Sequence, residues 1–126
     1  MPQPSLVEAL FDPRAVALIG ASDDAGKTAG RPLRFLRKHG YAGPVYPINP
    51  NRSAVQGERA YASLGDAPGP VDHAYILIDT PGVEAAVSAC AEAGVTVATM
   101  VRVDCKPPET EVMFALYFAI DWRVWF

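Results

Sequence analysis

The apolar run Ala-Val-Ala-Leu-Ile at positions 15–19 ends at Gly20 and opens into an eleven-residue stretch, GASDDAGKTAG, before helix-compatible sequence resumes at Arg31. Five consecutive apolar residues make a strand length, and a run without alternation suits a strand covered on both faces, as parallel strands in α/β sheets are. A long glycine-rich connection after such a strand, with Pro32 in the first turn of the next helix, is a strand-to-helix junction. Sheets built from such junctions gather ligands at the carboxyl ends of their strands.

The rest of the chain repeats the pattern. Ser5 and Glu8 have capping-box spacing, so Leu6–Phe11 reads as a short helix stopped by Pro13. Leu33 and Leu36 give the helix after the loop an inward face, and Gly40 closes it. Val45–Ile48 is a second strand, with Pro47 marking it as distorted or near an edge. Residues 53–70 lack firm periodicity and are expected to be irregular, with Ala60 and Tyr61 as a possible small strand. Residues 74–78 form the next strand. Val83, Ala86, Val87, Cys90 and Ala91 then mark one stripe of a helix ending at Gly94, and residues 95–101 form a fourth strand. Strands alternating with helices imply a Rossmann-like three-layer α/β domain with a mainly parallel sheet. Its strand ends are residues 20–30, 49–52, 79–81 and those after Val101.

Composition narrows the function. At 126 residues, half of them apolar, the chain is long enough to bury one core. Cys90 and Cys105, and His39 and His73, fall outside metal-ligand spacing, so neither a metal site nor a disulfide scaffold is expected. The N-terminus has no basic segment followed by a long apolar stretch, and the longest apolar run, residues 112–120, is about half a membrane span. A soluble cytoplasmic protein, without membrane contact, is the expectation. A net charge of −3 argues against a general nucleic-acid binder. Seven of the eleven basic residues nevertheless fall between positions 27 and 59, where Glu58 is the one acid. For Arg34, Arg37 and Lys38 a solvated helix face explains this as well as a ligand does. Arg31 is different, because a cation in the first turn opposes the positive end of the helix dipole unless an anion sits there too.

Three ligand readings of the loop compete with a plain glycine-rich connection that binds nothing. In the first, Gly20 turns the backbone at the strand end, Ser22 offers a hydroxyl donor, and Gly26 and Gly30 permit close approach of a cofactor phosphate. In the second, ASDDAGKT at 21–28 is a Walker A loop whose Lys27 and Thr28 meet a triphosphate. Gly30 and Pro32 break the helix that should run on from Lys27, and Asp23 and Asp24 would face the triphosphate. In the third, the loop binds a nicotinamide dinucleotide, but Ser22 replaces the second glycine and Asn49 stands where NAD needs an acid. Arg52 suits the ribose phosphate of NADP or the 3′-phosphate of coenzyme A. The first reading fits these residues best.

LFDPRAVALIGAS at 10–22, GRPLRFL at 30–36, GYAGPVYPINPN at 40–51 and VDHAYILI at 71–78 together resemble a known module. It is the N-terminal CoA-binding domain of NDP-forming acyl-CoA synthetases, relatives of the succinyl-CoA synthetase α subunit. The resemblance implies that Gly20, Ala21 and Ser22 approach the phosphates of coenzyme A, that Asn49 and Pro50 line the adenosine side, and that Ile78 and Asp79 border the pantetheine. The full candidate set is Gly20, Ala21, Ser22, Gly26, Lys27, Gly30, Arg31, Asn49, Pro50, Arg52, Ile78 and Asp79. Where the family often carries Lys the chain has Asn51, leaving Arg52 to supply the charge, and Asp79 stands at a frequent proline position.

The resemblance ends near Val103, giving a CoA-binding domain over residues 1–103 and an atypical aromatic tail over 104–126 that reads first as a truncated or frameshifted end and second as a strand or helix covering the sheet. In the resembling synthetases a histidine of a following domain carries phosphoryl to an ATP-grasp domain. No histidine here has the setting of such a carrier, and no catalytic triad can be assembled. The chain is therefore expected to hold CoA or acyl-CoA without completing a reaction alone. Alternatives are a subunit of a split acyl-CoA synthetase, with ATP-grasp or ligase-domain partner chains, and a small P-loop-like or NADP-type nucleotide-binding protein.

Overall fold

The computed structural model describes residues 3–101. The expected aromatic tail at 104–126 lies outside the described residues. Strand β1 (Val16–Ile19) is buried along its whole length, as its unbroken apolar run requires. It pairs in parallel with β2 (Val45–Ile48) on one side and β5 (His73–Ile76) on the other, and β6 (Val97–Met100) pairs in parallel with β5. Among the described residues the sheet order is β2-β1-β5-β6, so β2 is an edge there, where Pro47 sacrifices no central ladder bond.

Because side chains alternate across a strand, β1 serves two cores. Val16 and Leu18 join Leu33 and Leu36 of α2 (Arg31–Lys38). Ala17 and Ile19 face the opposite side, with Ala74, Ile76 and then Ala86 and Cys90 of α3 (Thr80–Glu92). These are the three layers expected. Helix α1 (Leu6–Phe11) opens with the Ser5–Glu8 capping box, both reciprocal bonds formed. It packs against β6, and Gln3 just before it meets Thr96.

The base of the sheet is closed by Asp72. Its carboxylate accepts from Arg14 Nε at 2.9 Å, Nη2 at 2.9 Å and the Arg14 backbone N–H at 2.8 Å. These bonds hold the Asp72 carboxyl below its ordinary value. His73 follows, buried, with Nε2 2.8 Å from Thr99 Oγ1 and its ring stacked on Tyr75. Its Nδ1 is buried and makes no hydrogen bond among the described residues. Burial pulls the imidazole down to about 4, so it is neutral and part of the packing.

Three expectations need correction. The strand at 74–78 runs instead from His73 to Ile76. Leu77 still donates to Ile19 O, but Leu77 and Ile78 lie beyond the parallel ladder, and α3 begins at Thr80. The α3 stripe is narrower than its five residues suggested: Ala86 and Cys90 are buried and Val83 is half-buried, while Val87 and Ala91 face outward. Residues 53–70 are not simply irregular. Strands β3 (Ala54–Val55) and β4 (Glu58–Arg59) form a two-stranded antiparallel hairpin, and Tyr61 bridges to Ile48 in parallel.

Candidate functional site

At the carboxyl ends of β1 and β2 lies a cleft of about 360 Å³ lined by Gly20, Ala21, Ser22, Asp23, Asp24, Lys27, Asn49 and Arg52. Gly20 creates it. Its φ of +86° turns the chain off the strand, and its N–H stays bound to Ile48 O at 2.9 Å. A Cβ there would lie 2.4 Å from Ile78 Cγ2 and 2.8 Å from Leu77 O, so both conformation and space demand glycine.

Beyond Gly20 the backbone donors divide into two sets. Ser22 N–H donates to Ala29 O at 3.1 Å, which ties the start of the loop to its end. Among the described residues the N–H groups of Ala21 and Asp23 meet no protein acceptor. Ala21 is fully buried, whereas Asp23 is exposed, and an unpaired amide at the mouth of a strand-to-helix loop is the kind of donor with which such loops take up anions. Asp24 turns the next segment inward: its N–H meets Ser22 Oγ at 3.1 Å and its Oδ1 accepts from Gly26 N–H at 2.9 Å. The Ser22 oxygen is thus an acceptor within the loop, with its proton still available to a ligand.

Lys27 sits extended ahead of a single 3₁₀ turn, Thr28–Gly30, which leads into α2. This geometry removes the Walker A reading, which needs the helix to run on directly from Lys27 and Thr28. Asn49 closes the other wall, donating from Nδ2 to Ala21 O at 3.1 Å while its Oδ1 accepts from Asn51 N–H. Arg52 lies across the opening, with Nη1 3.4 Å from Asp23 Oδ2 and both side chains about half exposed.

Six of the twelve sequence candidates therefore line one cleft: Gly20, Ala21, Ser22, Lys27, Asn49 and Arg52. Ile78 packs under Gly20 and Gly82 at its border. Asp79 is the exposed N-cap residue of α3, its carbonyl accepting from Gly82 N–H. Gly30 and Gly26 play internal parts. Gly30 is buried, and a Cβ on it would stand 1.9 Å from Asp24 O, so the close approach it permits is that of the loop to itself. Gly26 is exposed in the Asp24 turn. Pro50 and Arg31 are exposed and outside the cleft lining. Arg37 is absorbed structurally, pairing with Glu58 and donating to Tyr41 O.

One contributor carried no sequence signal of its own. Gln56, at the tip of the β3-β4 hairpin, reaches the loop from behind through its backbone N–H and its side-chain amide. A Gln-Gly pair between short apolar and charged stretches is a weak version of the Asn-Gly hairpin turn signal.

The model of the family described as CoA binding domain matches residues 14–107, three quarters of the chain. The chain belongs to the CoA binding domain family. Among curated relatives, it is 37% identical over 90 residues to the α subunit of an ADP-forming acetate–CoA ligase II of Pyrococcus furiosus, covering 71% of this chain and 20% of that one. Its identity to the ADP-forming acetate–CoA ligase II of Archaeoglobus fulgidus is 36%, covering 73% of this chain and 14% of the ligase. Among solved structures, the dinucleotide-forming acetyl-coenzyme A synthetase 1 of Ca. Korarchaeum cryptofilum, in complex with phosphate and ADP, superposes with a TM-score of 0.73 at 32% identity. That match covers 94% of this chain and 26% of the synthetase. The chain thus spans about a quarter or less of the length of these relatives. Among the described residues no helix is long and apolar enough to cross a membrane.

Proposed function

We propose that this CoA-binding domain holds the phosphates of coenzyme A, or of an acyl-CoA, in the cleft at Gly20. The observation that carries the proposal is the cleft at the end of β1, where the exposed Asp23 has an unpaired amide and Lys27 and Arg52 bring two cations. A backbone donor and two cations complement a diphosphate, and the left-handed turn at Gly20 opens the strand end to it. Asn49 and Pro50 then border the adenosine, and Ile78 and Asp79 lie on the side towards the pantetheine. Coenzyme A brings the thiol that accepts an acyl group; this chain's residues bind and orient it. The setting proposed is the cytoplasm.

Calorimetric titration tests the reading. Heat of binding with CoA or acetyl-CoA, lost in Gly20→Val, is the expected result; folded protein that takes up neither ligand overturns it.

The Pyrococcus furiosus relative is an α subunit, which favours a second and wider reading, in which this module works within a split acyl-CoA synthetase. Its partner would carry an ATP-grasp domain and a phosphoryl-carrying histidine. Co-expression with such a chain should yield a complex with ADP-forming CoA ligase activity that neither chain shows alone.

A further inference from the structure

The β3-β4 hairpin turns through Gln56 and Gly57, both left-handed, with φ of 48° and 82°. This is the two-residue turn that suits the twist of a hairpin, and Asn or Gly is its usual first residue. Glutamine in that conformation is strained, and strain of this kind persists where other contacts over-determine it. The Gln56 backbone N–H donates to Asp23 Oδ1 at 2.6 Å, and its Nε2 donates to Ser22 O at 2.9 Å and to Gly30 O at 2.8 Å. One amide nitrogen thus joins the first and last turns of the glycine loop, eight residues apart in sequence, while the backbone of the same residue holds the Asp23 side chain.

We infer that Gln56 is a positioning residue for the CoA-binding loop: it clamps Ser22 to Gly30 and thereby fixes the direction of the Asp23 amide. Gln56 is not itself among the residues that line the cleft. The clamp works through the carbonyls of the loop. A peptide plane whose carbonyl is held by Nε2 has its N–H pointing the opposite way, and the Ser22 carbonyl shares its plane with the Asp23 N–H. Fixing Ser22 O towards Gln56 therefore aims Asp23 N–H away from the hairpin. Shorter Asn, the preferred residue for the turn, satisfies the backbone and lacks the reach for both carbonyls. Glutamine at this position thus answers to the loop rather than to the hairpin.

This inference rests on the CoA reading above, and its test separates the two. Gln56→Gly removes the amide and relieves the left-handed strain; Gln56→Met keeps the length without donors. CoA affinity of the full chain is measured by calorimetry well below the melting temperature, and hydrogen exchange of the Ser22 amide, bonded to Ala29 O, is followed without ligand. The expected result is an affinity about tenfold weaker in both variants, faster Ser22 exchange, and an unchanged melting temperature for Gln56→Gly. Wild-type protein that binds CoA together with variants that bind it equally well overturns the clamp and leaves the CoA reading standing. Weaker binding with unaltered Ser22 exchange and a lowered melting temperature also overturns it, as general destabilisation. Wild-type protein that takes up no CoA overturns both.

Discussion

Gly20 and Ile78 are in contact across the top of β1 and β5 so closely that a methyl group on Gly20 would lie 2.4 Å from Ile78 Cγ2. The strand end that opens the cleft and the segment that leads into α3 are therefore fixed against each other. Gly20→Ala should lose about 2 kcal/mol of stability, from the left-handed backbone and the clash together. The double variant Gly20→Ala/Ile78→Ala should recover part of the excess, because Leu77 O and the φ of +86° still oppose the side chain. Denaturant unfolding of the four proteins of the cycle measures the coupling. Simple additivity would contradict the contact.

Removing a cation from the cleft should weaken CoA binding without altering the fold. Lys27 and Arg52 are both exposed, so Lys27→Ala and Arg52→Ala should leave the melting temperature nearly unchanged. Each should lower affinity about tenfold at low salt and flatten the dependence of affinity on ionic strength. Arg52→Ala also removes the cation paired with Asp23, whose charge then opposes the ligand phosphates. Asp23→Ala/Arg52→Ala is expected to bind CoA better than Arg52→Ala alone, read by calorimetry at two salt concentrations.

Stability should fall as pH drops from about 6.5 to about 4, and His73 is the reason. Its folded value of about 4 lies below the ordinary 6.5, so in this window the unfolded chain binds a proton that the native chain refuses. Full stability is present above 6.5, and the loss reaches roughly 3 kcal/mol at the lower end. His73→Gln should flatten the slope of unfolding free energy against pH between those limits. An unchanged slope would assign it to other groups.

A second acid step belongs to Asp72. With its carboxyl held below 3.8 by Arg14, the stability it contributes is complete above that pH and disappears only as pH falls further and the carboxylate protonates. Asp72→Ala should lose about 2 to 3 kcal/mol at neutral pH, since it strands the Arg14 backbone N–H and guanidinium; the partial exposure of Arg14 keeps the figure below that of a fully buried pair. The variant should also lack this second step in a thermal melt series taken to low pH.

The parts of the fold legible in the sequence are those where one physical cause dominates. Residues 15–19 and 45–48 are apolar because they are covered, and Pro32 and Gly40 bracket α2 because their backbones suit its ends. The end of β5 was not legible, since Leu77 and Ile78 are as apolar as a strand and fill core space after the ladder has stopped. The hairpin at 54–59 escaped because two-residue strands carry no periodicity, and its turn begins with glutamine. In the site, Gly20, Ser22, Asn49 and Arg52 follow from the rule that strand ends meet ligands. Gly30 looks the same in sequence and packs on Asp24 instead, and Gln56 contributes from more than twenty residues away. Sequence spacing reports which residues are flexible or charged, not which backbone atom they will face.

The strands of the sheet carry their two burdens at opposite ends. Arg14 and Asp72 lock one end, while the glycine loop, Asn49 and Arg52 occupy the other, a full strand length away. A change of ligand preference can therefore be explored at one end without spending the tolerance that holds the other together. Such a sheet is suited to serve as an exchangeable cassette: a different loop can be grafted onto the same four strands, and the graft need only respect the contact beneath Gly20.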